Sequence, residues 1–202
     1  MLVDRLLLAR IDPAQWRFSV HSAPAGDYDL DTWMRELRAV LVVNGSYYGR
    51  LKGEPDTPLI SNGVSMGPAE YEALHGAFVA SARDANVVDL NGKDWRKVFA
   101  GKTNAMVSYP LLVDENGLTR AKRSEWLAGR SFVGQDRSGK IVIGTTADAF
   151  LSLDRFAELL RRAPLDLATA LNLDGGPVAF SLLSAFFTNS TESIAASIWM
   201  RN

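Results

Sequence analysis

The segment 171–177 places two short polar side chains at the end of an apolar run. Its sequence is Leu-Asn-Leu-Asp-Gly-Gly-Pro. On a β-strand, Asn172 and Asp174 project to the same face, and the leucines beside them point into the core. Gly175 and Gly176 let the backbone turn, or let a ligand approach closely. A carboxylate and an amide held together in this way are suited to binding hydroxyl groups or a cation, or to an acid–base step.

Two other interpretations of this segment stay open. Asn, Asp and Gly are common turn formers, so the segment could simply be an Asx turn that ends the strand. Asn172 and Asp174, with a backbone carbonyl, would also suit calcium or another divalent cation. An Asp-x-Asp-x-Asp run occurs at residues 27–31, but Thr32 and Arg38 stand where a calcium-binding loop carries glycine and glutamate. We therefore expect no cofactor, with a divalent cation at these two residues as the alternative.

Length and composition limit the class of protein. The chain has 202 residues, of which 47% are hydrophobic and 22% charged, and its net charge is −1. These values predict one globular domain over residues 1–202. The near-neutral charge gives no reason to expect a nucleic-acid partner. Cysteine is absent, which excludes disulfides and thiolate chemistry. No apolar run approaches the ~20 residues of a membrane span, and the N-terminus does not resemble a secretory signal.

Hydrophobic spacing predicts many short strands with a few helices. Apolar residues three or four apart predict helices, whereas short apolar runs next to turn residues predict strands. The predicted helices are 30–37, 68–83, 94–99 and 153–162. The predicted strands are 2–11, 16–21, 39–43, 105–113, 131–134, 141–146, 167–173, 178–187 and 194–200, and residues 50–66 are predicted to form an exposed loop with a short strand. Because strands and helices do not alternate strictly, we expect an α+β fold: one domain with a mixed, mainly antiparallel sheet flanked by three or four helices.

Four motifs occur in order along the chain. They are Asn44-Gly45-Ser46-Tyr47-Tyr48, Ser108-Tyr109-Pro110-Leu111-Leu112, Arg130-Ser131-Phe132-Val133-Gly134 and Asn172-Leu173-Asp174-Gly175-Gly176-Pro177. In order and spacing they resemble the motifs of the phosphodiester glycosidase family, over roughly residues 40–180. The resemblance implies hydrolysis of the bond between a sugar anomeric carbon and a phosphodiester. It also implies a sugar phosphodiester or polysaccharide substrate of the cell-envelope or exopolysaccharide type.

The chemistry of such a substrate suggests roles for individual residues. A glycosidase needs a carboxylate near the anomeric carbon, as nucleophile or as base, and Asp174 is the candidate, with Asn172 orienting it or binding a hydroxyl. An arginine fork binds two phosphate oxygens together, and Arg130 is the candidate for that role. Arg120 and Arg123 could assist. The remaining predicted substrate-binding residues are Asn44, Gly45, Tyr48, Ser108, Gly175 and Gly176.

Several of these residues also have a purely structural interpretation. Asn44-Gly45 is a strong signal for a two-residue β-hairpin turn. Tyr47 and Tyr48 could stack on a sugar, or one could be core and the other exposed. Arg130 could simply open a strand, and Arg123 with Lys122 could form a solvated basic turn. No second catalytic carboxylate is evident, since Asp114, Asp136 and Asp148 all occur in turn-like contexts.

Two questions depend on the resemblance more than on the residues. Family members are mostly exported, which predicts a periplasmic or extracellular location, while the lack of a recognisable signal leaves the cytoplasm open. Val178 stands where family members generally carry serine. This difference supports an alternative function as a non-catalytic carbohydrate or sugar-phosphate binding protein on the same scaffold. A plain interaction domain would require that Arg130, Asn172 and Asp174 do not converge.

Overall fold

A computed structural model describes residues 5–22, 30–47, 54–71, 75–175 and 196–199. The elements within these ranges are, in chain order, β1 (Leu6–Ile11), β2 (Val20–His21), α1 (Leu30–Leu37), β3 (Leu41–Val43), β4 (Leu59–Ser61), β5 (Val64–Met66), β6 (Gly76–Ser81), β7 (Asp84–Asp89), α2 (Trp95–Phe99), β8 (Asn104–Ser108), β9 (Leu111–Val113), β10 (Ser131–Asp136), β11 (Ile141–Thr146), α3 (Leu153–Arg162), β12 (Leu167–Leu173) and β13 (Ala196–Trp199).

The strands form two five-stranded sheets and one small sheet. The first large sheet has the order β1-β11-β10-β12-β9, and the second has the order β5-β4-β8-β6-β7. Neighbouring strands in both are antiparallel. In the small sheet, β13 pairs in parallel with β2 and β3. This arrangement confirms the predicted α+β class with a mixed, mainly antiparallel core. The assignment of residues 1–202 to one domain stays a prediction.

The main hydrophobic core lies between the two large sheets. It combines residues of the first sheet, such as Leu171 and Val133, with residues of the second, such as Phe78 and Met106. The opposite face of the first sheet is covered by α3, where Phe132 meets Phe156 edge to face. Because both faces of the first sheet are covered, the strands that carry the motifs are held rigidly.

The predicted helix over 68–83 is wrong. Residues 76–81 form β6, which pairs with β7 in a hairpin. Tyr71, Phe78 and Val79 have helical spacing, but residues 77–80 are a continuous run of buried side chains at the centre of the second sheet. Periodicity alone cannot distinguish a strand buried on both faces from a buried helix, and here the tertiary contacts decided the outcome.

The single strand predicted over 105–113 is instead two strands in different sheets. β8 belongs to the second sheet and β9 to the first, and the cis peptide Tyr109-Pro110 lies between them. Proline has no backbone donor for a ladder, so the strand cannot continue through this position. The crossing brings Tyr109 to the edge where both sheets meet the end of β12.

The other predicted elements agree with the structure to within a few residues. The helices at 30–37 and 153–162 and the strand at 167–173 have the predicted bounds, and the hairpin around residues 136–139 is present. The predicted loop over 50–66 contains the β4–β5 hairpin, and the strand predicted over 16–21 is reduced to β2. The predicted strand 178–187 lies outside the described residues.

Candidate functional site

Asn172 is fixed from several directions at the end of β12. Its side chain is only 2% exposed. The Nδ2 group donates to the Tyr47 hydroxyl and, over 3.2 Å, to the Tyr109 carbonyl. The backbone amide donates to the Pro110 carbonyl over 3.0 Å, and the carbonyl accepts from Ser108 Oγ over 2.7 Å. Asn172 therefore orients two tyrosines at the junction of the sheets.

Asp174 is half-buried directly after β12. Its backbone amide donates to the Gly45 carbonyl over 2.8 Å, and its own carbonyl accepts from Asn44 Nδ2 over 3.2 Å. The carboxylate Oδ1 accepts from the Gly175 amide over 2.9 Å. Burial raises the pKa of Asp174 above its ordinary value. A carboxyl group in this state is better suited to accepting a proton near neutral pH than a solvated one.

The start of β10 lies beside the end of β12. Ser131 pairs with Leu173, so one further step in the antiparallel register sets Arg130 beside Asp174. The approach is close, because a Cβ added at Gly175 would lie 2.5 Å from the Gly129 carbonyl oxygen. Gly175 is therefore required because the backbone of Gly129 lies so close to it. The close approach predicted at this glycine is made by the segment that leads into β10.

Arg130 is a buried cation that is only partly engaged. The residue is 6% exposed. Its Nε donates to the Leu151 carbonyl over 3.1 Å, and its Nη2 donates to the Trp126 carbonyl over 2.8 Å. Within the described part of the chain, Nη1 has no hydrogen bond. Burial lowers the pKa of the guanidinium, which still remains charged at neutral pH.

Tyr47 connects the acid and the guanidinium. Among the described residues, Arg130 and Asp174 form no ion pair with each other. Burial is the main cause of the raised pKa of the Tyr47 hydroxyl; the charge of Asp174 raises it further, and the charge of Arg130 opposes this. Both charges therefore act on one phenol, which itself contacts Asn172. The three predicted catalytic residues, Arg130, Asn172 and Asp174, thus converge around Tyr47.

A cavity of about 630 Å³ opens on this group of residues. Two ring pairs form one wall, with centroid distances of 4.6 Å between Tyr47 and Tyr109 and 4.8 Å between Tyr109 and His75. The cavity is lined by Tyr47, His75, Tyr109, Pro110, Arg120, Lys122, Ser124, Trp126, Arg130 and Leu153. Asn172, which is hydrogen-bonded to Tyr47, and Asp174 do not belong to this lining. The volume is large enough for a sugar phosphate.

The cations of the cavity differ in how they are balanced. Arg120 pairs with Asp89 and lies 3.7 Å from Asp114 Oδ2. Lys122 and Arg130 have no ion pair with any residue that the structure describes. The cavity therefore carries uncompensated positive charge, which favours an anionic ligand.

The remaining predicted site residues have mostly structural contacts. Ser108 is fully buried and binds the backbone of Asn172, and Asn44 and Gly45 bind the backbone of Asp174. Val43 pairs with β13, and Ser46 and Tyr47 belong to no strand, so Asn44-Gly45 does not close a two-residue hairpin. Arg123 is exposed and does not line the cavity. Tyr48, Gly176 and Val178 lie outside the described residues.

His75 and Trp126 are among the cavity residues that were not predicted from the sequence. His75 appeared isolated, but β6 begins beside it and brings it against Tyr109. Trp126 lies in a segment with no periodic pattern. The one available signal was an aromatic residue close to Arg120, Lys122 and Arg123 in the sequence.

Two other features of the described residues bear on where a ligand could bind, namely clusters of metal-ligating side chains and a second large cavity. The described residues contain no group of three or more His, Cys, Asp or Glu side chains that could hold a metal ion. The cation predicted at Asn172 and Asp174 stays a prediction. A separate cavity of about 650 Å³ lies between the β4–β5 hairpin and α2, and none of the predicted site residues lines it. In the described part of the chain, no helix is long and apolar enough to cross a membrane.

Comparisons with known proteins bear on the fold and the family of the chain. The chain is similar to the catalytic domain of the zebrafish N-acetylglucosamine-1-phosphodiester alpha-N-acetylglucosaminidase, with 15% identity and a TM-score of 0.59. The match covers 86% of this chain and 71% of that one. It is also similar to a hypothetical protein from Synechocystis, with 17% identity, a TM-score of 0.48 and coverage of 86% of this chain and 51% of that one. The search of curated proteins gave no match. The family model of the phosphodiester glycosidases matches residues 37–191, which include all four motifs. The chain belongs to the phosphodiester glycosidase family.

Proposed function

We propose that this protein hydrolyses the bond between the anomeric carbon of a sugar and a phosphodiester. The observation that carries the proposal is the convergence of Arg130, Asn172 and Asp174 around Tyr47, beside a cavity with uncompensated positive charge. Family membership supports the class of reaction.

The phosphate is bound at the Arg130 end of the cavity. Nε and Nη2 are held by the carbonyls of Leu151 and Trp126, which leaves Nη1 for a ligand. A guanidinium held in this way needs no reorganisation when it meets a phosphate oxygen. Lys122 lines the same cavity and adds a second positive charge.

The sugar is bound at the Tyr47 end of the cavity, and the reaction requires its anomeric carbon to reach the nearby carboxylate of Asp174, which does not itself line the cavity. Asp174 either attacks this carbon itself or takes a proton from the attacking water. The bond from the anomeric carbon to the phosphate oxygen breaks, and its electron pair leaves with the phosphate. The configuration of the released sugar distinguishes the two routes.

A single carboxylate is sufficient for this leaving group. A phosphate oxygen is weakly basic, so charge stabilisation by Arg130 replaces protonation by a second acid. Two of the three aspartates in turn-like contexts are occupied, since Asp114 Oδ1 accepts from the amides of Asn116 and Leu118, and Asp136 Oδ1 accepts from those of Ser138 and Lys140. These contacts support the interpretation of both residues as turn formers.

The proposed substrates are sugar phosphates of the cell envelope or of exopolysaccharides, and the proposed location is the periplasm or the outside of the cell. The second candidate function is a non-catalytic sugar-phosphate binding protein. The observation that favours it is Val178, where the family generally carries serine.

One assay separates the two functions. The protein is incubated with a synthetic N-acetylhexosamine-1-phosphodiester, and free sugar is measured alongside the thermal stabilisation that the compound produces. We expect release of sugar that depends on enzyme concentration. Stabilisation without release of sugar would instead support the binding protein.

A further inference from the structure

A third cavity lies beside α1 and β2 and is separate from the site already described. It has a volume of about 290 Å³. Every polar side chain of its lining carries an N–H or O–H group that can donate a hydrogen bond, and none of them is acidic. The lining consists of Arg17, Ser19, His21, Leu37, Arg38, Ala39 and Asn62, none of which lines the cavity beside Arg130. Donors and cations without a carboxylate favour an anionic ligand.

The positive charge of this cavity comes from Arg17 and Arg38. Within the described ranges, the side chain of neither arginine forms an ion pair or a hydrogen bond. His21 adds no charge at neutral pH, because burial lowers its pKa to about 4. Ser19 is half-buried, and its hydroxyl has no hydrogen bond to any residue that the structure describes. Two guanidinium groups and one hydroxyl are therefore available to a ligand.

Arg38 occupies a backbone position that favours glycine. The helix α1 ends in a Schellman motif, in which the Ala39 amide donates to the Met34 carbonyl over 3.0 Å and the Arg38 amide donates to the Arg35 carbonyl over 3.3 Å. Arg38 has the left-handed conformation of this motif, with a φ of 52°. Glycine adopts this conformation without strain, whereas a residue with a Cβ does not. A strained arginine at the edge of a cavity indicates that its side chain is needed there.

The buried side chain of Asn104 fixes two walls of the cavity. Its Oδ1 accepts from the Val20 amide over 2.8 Å and from the Asn62 amide over 3.2 Å. Val20 lies between Ser19 and His21, so one side chain joins the segment before α1 to the β4–β5 hairpin. Asn62 also has a positive φ, but it opens the two-residue turn of that hairpin, where this conformation is ordinary. The donors are thus held in place before a ligand arrives.

We propose that this cavity is a binding site for a phosphate group, separate from the active site beside Arg130. Two guanidinium forks at one cavity can bind several oxygens of the same tetrahedral anion, and the Ser19 hydroxyl can bind another. The volume suits inorganic phosphate or the phosphate of a single sugar monoester. This inference does not rest on the proposed function, because it uses none of the residues of the active site.

The test is a titration of the wild-type protein with sodium phosphate, followed by the ¹H–¹⁵N shifts of the Ser19, Ala39 and Asn62 amides. Sodium chloride at equal ionic strength is the reference. We expect saturable shifts at these amides with a Kd below about 10 mM for phosphate and no saturation with chloride. Shifts that do not saturate, or that chloride reproduces, would overturn the proposal.

Arg17→Gln removes one of the two forks without changing a strained backbone. We expect the Kd for phosphate to rise roughly 5- to 20-fold, because hydrogen bonds from a charged donor are lost. Lys97→Gln is the matched control, since it removes an exposed cation that does not line this cavity. Equal Kd values for the two variants would show that general charge attraction, and not this cavity, binds phosphate.

Arg38→Gly separates binding from stability, because its two effects have opposite signs. Relief of the left-handed strain should raise Tm by about 1–3 °C, while the Kd for phosphate rises at least about fivefold. Asp166→Gly is the matched control, since Asp166 has a φ of 53° and lies outside the cavity. It should raise Tm in the same way and leave the Kd unchanged. Phosphate binding by Arg38→Gly at the wild-type Kd would contradict the proposal.

Two further arms identify the site and the source of the phosphate. Arg130→Lys should leave the shifts at Ser19, Ala39 and Asn62 unchanged, and their loss in this variant would assign phosphate binding to the active site instead. A hexose-1-phosphate is titrated beside inorganic phosphate. Tighter binding of the hexose-1-phosphate would support a sugar monoester as the ligand, and equal or weaker binding would support inorganic phosphate.

Discussion

Arg130 shows how a buried cation can be kept ready for a ligand. Two carbonyls and one aromatic ring hold its guanidinium, and these contacts offset part of the cost of burial without neutralising the charge. A carboxylate partner would instead form a closed ion pair. Arg120 illustrates that case, since it lines the same cavity and is paired with Asp89. The two arginines therefore have different roles, with Arg120 structural and Arg130 free to bind an anion.

The first prediction concerns the shape of this cation. We expect Arg130→Lys to lower kcat/KM for a sugar phosphodiester by roughly 10- to 100-fold, because lysine keeps the charge but loses the fork and the bonds to Leu151 and Trp126. Steady-state kinetics measures the effect. Arg137→Lys is the control, since Arg137 is an exposed arginine in the β10–β11 turn. Equal activity of the Arg130 variant and the control would show that Arg130 does not bind the phosphate.

At the scale of elements, the site depends on where three strands end. β12 ends at Leu173, β10 begins at Ser131, and the chain crosses between sheets from β8 to β9 at Tyr109-Pro110. Asn44 and Gly45 then bind the backbone of Asp174 from a fourth segment. The polar residues of the motifs converge because strand ends from both large sheets meet at one edge.

The second prediction concerns the approach of β12 to β10. In Gly175→Ala, the added Cβ would clash with the Gly129 carbonyl. We expect the backbone near Asp174 to shift, with a loss of about 1–3 kcal/mol of stability and a marked loss of kcat. Denaturant unfolding and steady-state kinetics measure the two effects.

Gly92→Ala provides the control for that experiment. Gly92 has a φ of 70° and open space around its Cβ position. The substitution should cost about 1 kcal/mol through backbone strain alone and leave kcat unchanged. If Gly175→Ala and Gly92→Ala lose the same stability and both keep full activity, the contact between the strands does not position the site.

The sequence predicted the elements whose signals are local. The helix at 153–162 and the strand at 167–173 have clear spacing, and the polar residues that end the strand lie on the predicted face. β6 was predicted as a helix because Tyr71, Phe78 and Val79 have helical spacing. The sequence does not show that residues 77–80 are buried on both faces of a sheet. The break at Tyr109-Pro110 was missed because a proline between two apolar runs does not reveal that the runs belong to different sheets.

At the scale of the whole molecule, the fold brings together residues that are far apart in the sequence. Tyr47 and Asn172 are 125 positions apart, yet their side chains are hydrogen-bonded. The motifs and the family resemblance predicted Arg130, Asn172 and Asp174. They could not predict Trp126 and His75, which reach the cavity only through the path of the segment after β9 and the start of β6. Local patterns therefore identify the groups at strand ends, whereas the wall of the cavity follows from tertiary structure.

The central claim is that Asp174 serves the reaction, and Asp174→Asn tests it. Burial raises the pKa of Asp174 in the folded protein above its value in the unfolded chain. Ionisation of Asp174 therefore destabilises the fold, and this loss of stability develops as the pH rises from the unfolded-state pKa to the folded-state pKa. The neutral amide removes this penalty. The variant should therefore be equally stable at low pH and more stable at neutral pH, by about 0.5–2 kcal/mol. Unfolding at both pH values checks that the variant is folded.

The decisive measurement is release of free sugar from the phosphodiester by wild-type protein and by Asp174→Asn, with binding of the intact diester measured in parallel. We predict that the variant binds the diester and releases sugar at least about 1,000-fold more slowly, since catalytic carboxylates contribute effects of this order. Sugar release by the folded variant at the wild-type rate would contradict the assignment of Asp174.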